Sequence, residues 1–142
     1  MRVMKFKITI ISTIILFLSA CASQVEKENE ENSLLVVERW SDALSSGDID
    51  TLLDNSTKLT KAKYSTDWIK NYWMASRESY GKLINKDLQL NWKLEIFEGN
   101  LPDGTHRRIV YWNKYEKNDL AKETFIVTRE GGEWKVHDWY VR

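Results

Sequence analysis

An α+β fold is what this sequence predicts: N-terminal helices packed on one face of a curved four-stranded antiparallel meander sheet. Three observations predict it. Before Gly81, apolar residues recur at three- and four-residue spacing. After it, they alternate with polar ones. The alternating stretches are joined by turn signals, so successive strands can pair antiparallel. Helices first and strands afterwards argue for segregated layers.

The first helix of the domain is expected at Leu34 to Ser46, with Ser33 as its cap and Gly47 as its stop; Val36, Val37, Trp40, Ala43 and Leu44 form its apolar stripe. Asp48 caps a short second helix at Ile49 to Leu53. Ser56 to Tyr64 is polar and poorly patterned. A longer helix follows at about Thr66 to Tyr80, from Ser65 to Gly81, with Trp68, Ile69, Tyr72, Trp73 and Tyr80 largely on one side. Leu88, Leu90, Trp92, Leu94 and Ile96 then alternate with polar residues, as a half-buried strand does. Asn100 to Gly104 is a turn built on Pro102 and Gly104. Arg107 to Lys114 is a second strand, Asn118-Asp119 a turn, Lys122 to Arg129 a third strand, and Gly131-Gly132 a hairpin into a fourth, Glu133 to Val141.

The chain divides into residues 1–20, 21–32 and 33–142. Arg2, Lys5 and Lys7 precede the apolar run Ile8 to Leu18, which is 11 residues long. A spanning helix needs about 20, so the run reads as the core of a signal peptide. Leu18-Ser19-Ala20-Cys21 follows and resembles a bacterial lipoprotein signal, in which the cysteine takes the lipid (palmitate among its acyl chains) and becomes the first mature residue. Two or three acyl chains anchor stably where one is marginal. Ala22 and Ser23 after the cysteine, with no aspartate, imply by that resemblance the outer membrane, facing the periplasm. Ala22 to Asn32 is acidic, without an apolar stripe, and reads as a flexible tether.

Loss of residues 1–20 removes three basic residues and no acidic one. The 21 basic residues become 18 against 21 acidic, a net charge of −3. That, with the compartment, argues against nucleic acid as a partner. Cys21 is the single cysteine, so no intrachain disulfide can form.

Trp40 to Asp48, the Gly81 region, the Leu101-Pro102-Asp103-Gly104 turn and Gly132 to Tyr140 together resemble the nuclear-transport-factor-2-like superfamily, a cystatin-like α+β fold, and within it an uncharacterised branch of small secreted or lipid-anchored bacterial proteins. The resemblance implies a cone-shaped cavity between helices and sheet. It assigns no activity, and a shared fold would supply none. At the position of Asp138 that branch often carries glycine, which bears on the bend of the last strand.

Seven Trp, six Tyr, Phe97 and Phe125 follow residue 20. Large rigid rings with polar tips suit pockets and interfaces, but a small disulfide-free domain also needs them for its core. Trp40, Trp68, Trp92, Phe125 and Trp134 lie at core-like spacing. Trp68, Tyr72, Tyr111, Trp112, Trp139 and Tyr140 are the candidate pocket or interface residues. Tyr111 and Trp112 point to opposite faces of one strand, as do Trp139 and Tyr140.

His106, beside Arg107 and Arg108 near a turn, is expected in solvent. His137 and Asp138, as consecutive strand residues, are expected on opposite faces and unable to pair. Asp138 and Glu123 could be buried carboxylates with raised pKa, or a solvated face. No metal-ligand spacing, glycine-rich phosphate loop or nucleophile elbow is present, and no cofactor or metal is expected.

These readings converge on a non-enzymatic, lipid-anchored binding module of the cell envelope. The membrane is its partner through Cys21. An envelope protein, a small ligand or a second copy of the chain, paired through the sheet, is its other partner. The alternatives are a small periplasmic enzyme, using a carboxylate or His in the cavity, and an immunity or inhibitor lipoprotein.

Overall fold

The computed structural model describes residues 3–94 and 105–142, with side chains from Cys21 on. The chain divides into two compact units, Met1–Asn32 and Ser33–Arg142. Helix α1 is Val3–Ser46. It therefore includes residues 22–32, where a flexible tether was expected. Ala, Gln, Glu and Lys are strong helix formers, and Lys27 pairs with Glu31 one turn on at 3.8 Å. Polarity there reflects the lack of a core, not the lack of a helix. Ser33 is accordingly not a cap: it is buried inside α1 and accepts a bond from Asn91 Nδ2 at 3.3 Å. Among the described residues, no helix is long and apolar enough to cross a membrane.

Helix α2 (Ile49–Asp54) has the expected cap, Asp48, which accepts from Thr51 N at 3.1 Å. The unpatterned stretch after it contains a helix that sequence reading missed, α3 (Lys58–Lys63), capped by Thr57. Helix α4 (Thr66–Trp68) starts at the expected cap Ser65; a π-helical turn (Ile69–Met74) and α5 (Ala75–Ser79) follow. The π turn has a use. Across eight residues an α-helix drifts by about 80°. The wider turn offsets that drift and keeps Ile69, Trp73 and Arg77 together on the buried side. Tyr72, expected beside them, is 60 % exposed.

Strands β1 (Leu83–Leu94), β2 (His106–Tyr115), β3 (Asn118–Glu130) and β4 (Glu133–Val141) form one open antiparallel sheet in the order β1-β2-β3-β4. The meander is as expected. The turn before β3 lies at Glu116-Lys117, two residues earlier than Asn118-Asp119, which already pairs with β2. The Pro102 turn and Ile96 lie outside the described residues. Gly131 and Gly132 both have positive φ, 59° and 87°, as a two-residue hairpin requires.

One face of the sheet carries Ile109, Tyr111, Phe125, Val127, Trp134, Val136 and Trp139, packed with Val37, Trp40, Leu44, Leu52, Ile69 and Trp73 of the helices. Trp40 is the hub. Its ring lies 5.4 Å from Trp73, 5.9 Å from Phe125 and 5.9 Å from Trp139, and its Nε1 donates to Ser56 Oγ at 2.9 Å. Aromatic side chains thus pack between helices and sheet.

Strand β1 departs from expectation most. It is an edge strand and largely exposed. A bulge between Leu88 and Leu90 interrupts the alternation. Leu88 pairs with Tyr111 on the core face, while Leu90 and Trp92 pair with Val110 and Arg108 on the other. Trp92, expected in the core, is 67 % exposed.

Trp40→Ala is expected to lower the unfolding free energy by about 3–5 kcal/mol. Leu120→Ala, on the exposed start of β3, should change it by less than about 0.5 kcal/mol. Urea denaturation followed by circular dichroism measures both.

Candidate functional site

Three places hold polar chemistry, and the six aromatic candidates divide among three settings. Tyr111 and Trp139 are core residues, not pocket residues. Trp68 is half-buried in a pile of rings, stacked on Tyr64 at 4.3 Å and on Tyr72 at 5.0 Å. Trp112, 46 % exposed, and the half-buried Tyr140 lie on the face away from the helices, and the Arg142 guanidinium stands 5.6 Å from the Tyr140 ring. The expectation that Tyr111 and Trp112, and likewise Trp139 and Tyr140, face opposite ways holds.

The first place is buried. Glu123 lies fully inside, on the core face with Phe125 two residues on. It is not on the solvated face that the simplest reading offered. Asn113 Nδ2 donates to its Oε1 at 2.8 Å, and the Tyr115 hydroxyl donates to the same oxygen. Arg77 Nη2 at 2.5 Å and Trp139 Nε1 at 2.9 Å donate to Oε2. Arg77 also donates through Nη1 to the Tyr115 hydroxyl at 2.6 Å and sits 5.5 Å from the Trp139 ring. Burial, then the neighbouring Glu123, raises the Tyr115 phenol, against the opposing pull of Arg77. Burial, with Glu38 and Glu123 behind it, pushes Tyr111 up to about 12. The carboxylate thus has four donors and a guanidinium partner. These bonds tie β2, β4 and α5 to β3 through one carboxylate.

A groove of about 440 Å³ reaches this network from outside, with Arg77 and Tyr115 in its lining and Asp42, Glu78, Lys82 and Glu116 around it. Gly81 closes one end. Its φ is +73°, and a Cβ there would lie 2.7 Å from Glu116 Oε2, which accepts from Lys82 N at 2.9 Å. Only glycine fits.

The third place is a smaller cavity of about 180 Å³ lined by Leu59, Thr60, Lys63, Tyr64, His137 and Asp138. Residues Asn55 to Thr57 build it by closing the outer edge of β4. Val136 N donates to Asn55 O at 2.7 Å, and Thr57 N donates to Val136 O at 3.0 Å. The next residue is a bulge. Asp138 pairs with Ile126 and Val136 with Val127, so His137 is the extra residue. That overturns the alternation argument. A bulge re-aims side chains, and His137 and Asp138 line one cavity.

His137 Nδ1 lies 3.1 Å from Thr57 Oγ1, which lies 2.9 Å from Thr60 Oγ1; Thr60 Oγ1 donates to His137 O at 2.6 Å. Burial holds the His137 imidazole below its ordinary value. Asp138 opposes this, His106 and Lys63 reinforce it, and Glu130 opposes it last. Lys63 stands 4.8 Å over the Tyr64 ring, and that neighbour is the first cause of its raised pKa. Asp138 Oδ1 accepts from Trp139 N at 2.9 Å.

His106 is not in solvent. It is buried on the far face, its Nδ1 2.8 Å from Thr128 Oγ1. Arg107 is buried too, donating to Asn91 Oδ1 at 2.6 Å and Asn91 O at 2.9 Å. Cys21 is exposed and unpaired. Among the described residues, no cluster of three metal-ligating side chains occurs. Sequence reasoning missed Arg77, Asn113 and Tyr115, although each repeats the phase of a core residue: Trp73 four positions before Arg77, and Tyr111 two and four before the others. For Leu59, Thr60, Lys63 and Tyr64 no local signal existed, because the bulge that gathers them depends on pairing.

Residues 36–139 match the family described as protein of unknown function (DUF4019). No curated protein and no solved structure matches the chain.

Two outcomes follow from these sites. Glu123→Gln should cost about 3–5 kcal/mol, because it leaves the Arg77 charge buried and unpaired, whereas the double change Arg77→Met with Glu123→Leu should cost far less; denaturation of the wild type and the two variants decides it. His137 should titrate below 6.5 by NMR. Asp138→Asn should move its midpoint further down and Lys63→Met should move it up. The neutral imidazole favours the folded state above the unfolded pKa, and that contribution is lost as pH falls through the folded midpoint.

Proposed function

The chain belongs to the DUF4019 family of unknown function, and for it we propose a non-enzymatic, lipid-anchored binding module of the cell envelope. Cys21 carries the lipid, the signal before it is removed, and the domain faces the periplasm from the outer membrane. Its partner is an envelope protein or a small envelope ligand. The order of helices and meander supports the finer assignment to the nuclear-transport-factor-2-like superfamily.

One observation carries this reading. On the sheet face away from the helices, Trp92 and Leu90 of β1 stand beside Val110 and Trp112 of β2, with the two tryptophans 67 % and 46 % exposed. The core already has its own aromatic residues, so these are not needed for folding. Exposed tryptophans around an apolar centre are the usual anchors of an interface. Cys21 adds the anchor: it is the only cysteine, exposed, and preceded by small residues. An immunity or inhibitor lipoprotein is the version of this module whose partner is a hydrolase. A second copy of the chain could meet the same surface.

The enzyme reading keeps one specific support, the placing of His137 and Asp138 in the lining of one cavity. Glu123 no longer supports it.

Crosslinking and capture from intact cells tests the module. The wild-type chain should enrich a defined partner, Cys21→Ala should lose it, and Trp92→Ser with Trp112→Ser should lose it while staying folded and membrane-bound. Equal capture by all three would sink the proposal.

A further inference from the structure

The cavity at the β4 bulge lies away from the Trp92–Trp112 surface, and its chemistry can be read by counting hydrogens. Thr60 Oγ1 spends its one hydrogen on His137 O, at 2.6 Å. The contact of 2.9 Å between Thr57 Oγ1 and Thr60 Oγ1 must then use the hydrogen of Thr57. Thr57 Oγ1 has none left for the imidazole and accepts twice, from Thr60 N at 3.2 Å and from His137 Nδ1 at 3.1 Å. So Nδ1 carries the proton and Nε2 presents a lone pair. Nε2 has no hydrogen-bond partner among the described residues, and the side chain lines the cavity.

The other groups complete the set. Asp138 uses one carboxylate oxygen on Trp139 N and keeps the second as an acceptor. Lys63, beside Tyr64, brings an ammonium donor. Leu59, half exposed, supplies apolar surface, while the Tyr64 ring already carries Trp68 stacked on it and Lys63 over it. An anion would meet Asp138 and the lone pair of His137. A cation would meet Lys63, which already stands over the Tyr64 face. A purely apolar ligand would bury acceptors and an ammonium without partners. What fits is a neutral ring with hydroxyls that both donate and accept around its edge and C–H bonds on its faces. The volume, about 180 Å³, is below that of a drug-sized pocket and suits a single ring.

We propose that the β4-bulge cavity binds one saccharide residue, with its hydroxyls donating to His137 Nε2 and Asp138, accepting from Lys63, and its C–H face against Leu59. This goes beyond the module reading and does not use the outer sheet face. The sugar's source is either a free sugar or a unit of a wall glycan.

The test uses the full chain in a detergent without sugar headgroups. Glucose, N-acetylglucosamine and a β-1,4-linked N-acetylglucosamine tetrasaccharide are titrated, and the Thr60 and Tyr64 amide signals are followed by NMR. Saturable shifts are expected. Equal affinity for monomer and tetramer identifies a free sugar, and at least tenfold tighter tetramer binding identifies a glycan chain. His137→Asn keeps a nitrogen donor toward Thr57 but removes Nε2, so it should weaken binding about tenfold without loss of fold. Lys63→Met should weaken it severalfold. Binding should also fall as the imidazole gains its second proton and Nε2 becomes a donor. The charged groups that set that pH are Asp138, Glu130, Lys63 and His106. No shift with any sugar, or binding untouched in His137→Asn, overturns the proposal. Appearance of cleaved sugar overturns it as well, in favour of the enzyme reading. Partner capture through the outer face is independent of His137, so it can fail or succeed separately.

Discussion

A carboxylate taken fully out of water costs several kcal/mol unless its lone pairs and its charge are both met. Glu123 meets that demand with donors from β2, β4 and the helix after the π turn, and one of those donors is a guanidinium. The demand fixes positions across the domain. Slipping β3 by one residue would turn Glu123 to the outer face and strand Arg77 inside. Losing the π turn would rotate Arg77 away from the sheet. With no second cysteine to join the layers, this polar clamp and the Trp40 cluster beside it hold helices and sheet in one arrangement. The apolar cluster supplies most of the driving force, and the clamp selects the register.

Much of that fold was legible. The switch of period at Gly81, the Gly131-Gly132 hairpin and the caps at Asp48 and Ser65 each depend on residues close in sequence. The structure agrees with them. What was not legible depends on partners far along the chain. Helix α3 has no apolar stripe. It is held by its Thr57 cap, by Thr60, and by the bond from Thr57 N to β4. Strand β1 alternates well on paper, yet the bulge after Leu88 divides its apolar residues between two faces. Alternation predicts a half-buried strand only if the register is unbroken. His106 and Arg107 were misplaced for a related reason: nearness to a turn was allowed to outweigh their strand phase.

The candidate site was the least legible part. The argument that His137 and Asp138 could not act together was sound for a regular strand. It fails because β4 carries one extra residue there. That residue sits where Asn55 to Thr57 pair with the free edge of β4. An edge strand is normally exposed to pairing with another chain, and covering or bulging it are two ways to prevent this. Both occur here within two residues. The closure brings the Thr57–Thr60 hydroxyls to the imidazole, so a device that protects the sheet edge also sets the histidine's tautomer.

The inner face and this edge therefore differ in kind. On the inner face every oxygen of Glu123 is taken, and aromatic side chains pack around it. Such a face contributes stability and register but has no lone pair to offer. At the bulge the backbone groups are met by Asn55 and Thr57, while His137 Nε2 and one oxygen of Asp138 are not. Half-burial limits the cost of leaving those atoms unmet, since water can reach them when no ligand does. A domain this small cannot carry many unmet polar groups in its interior. A binding function is then best placed where the sheet ends, at an edge that water and ligand can both reach.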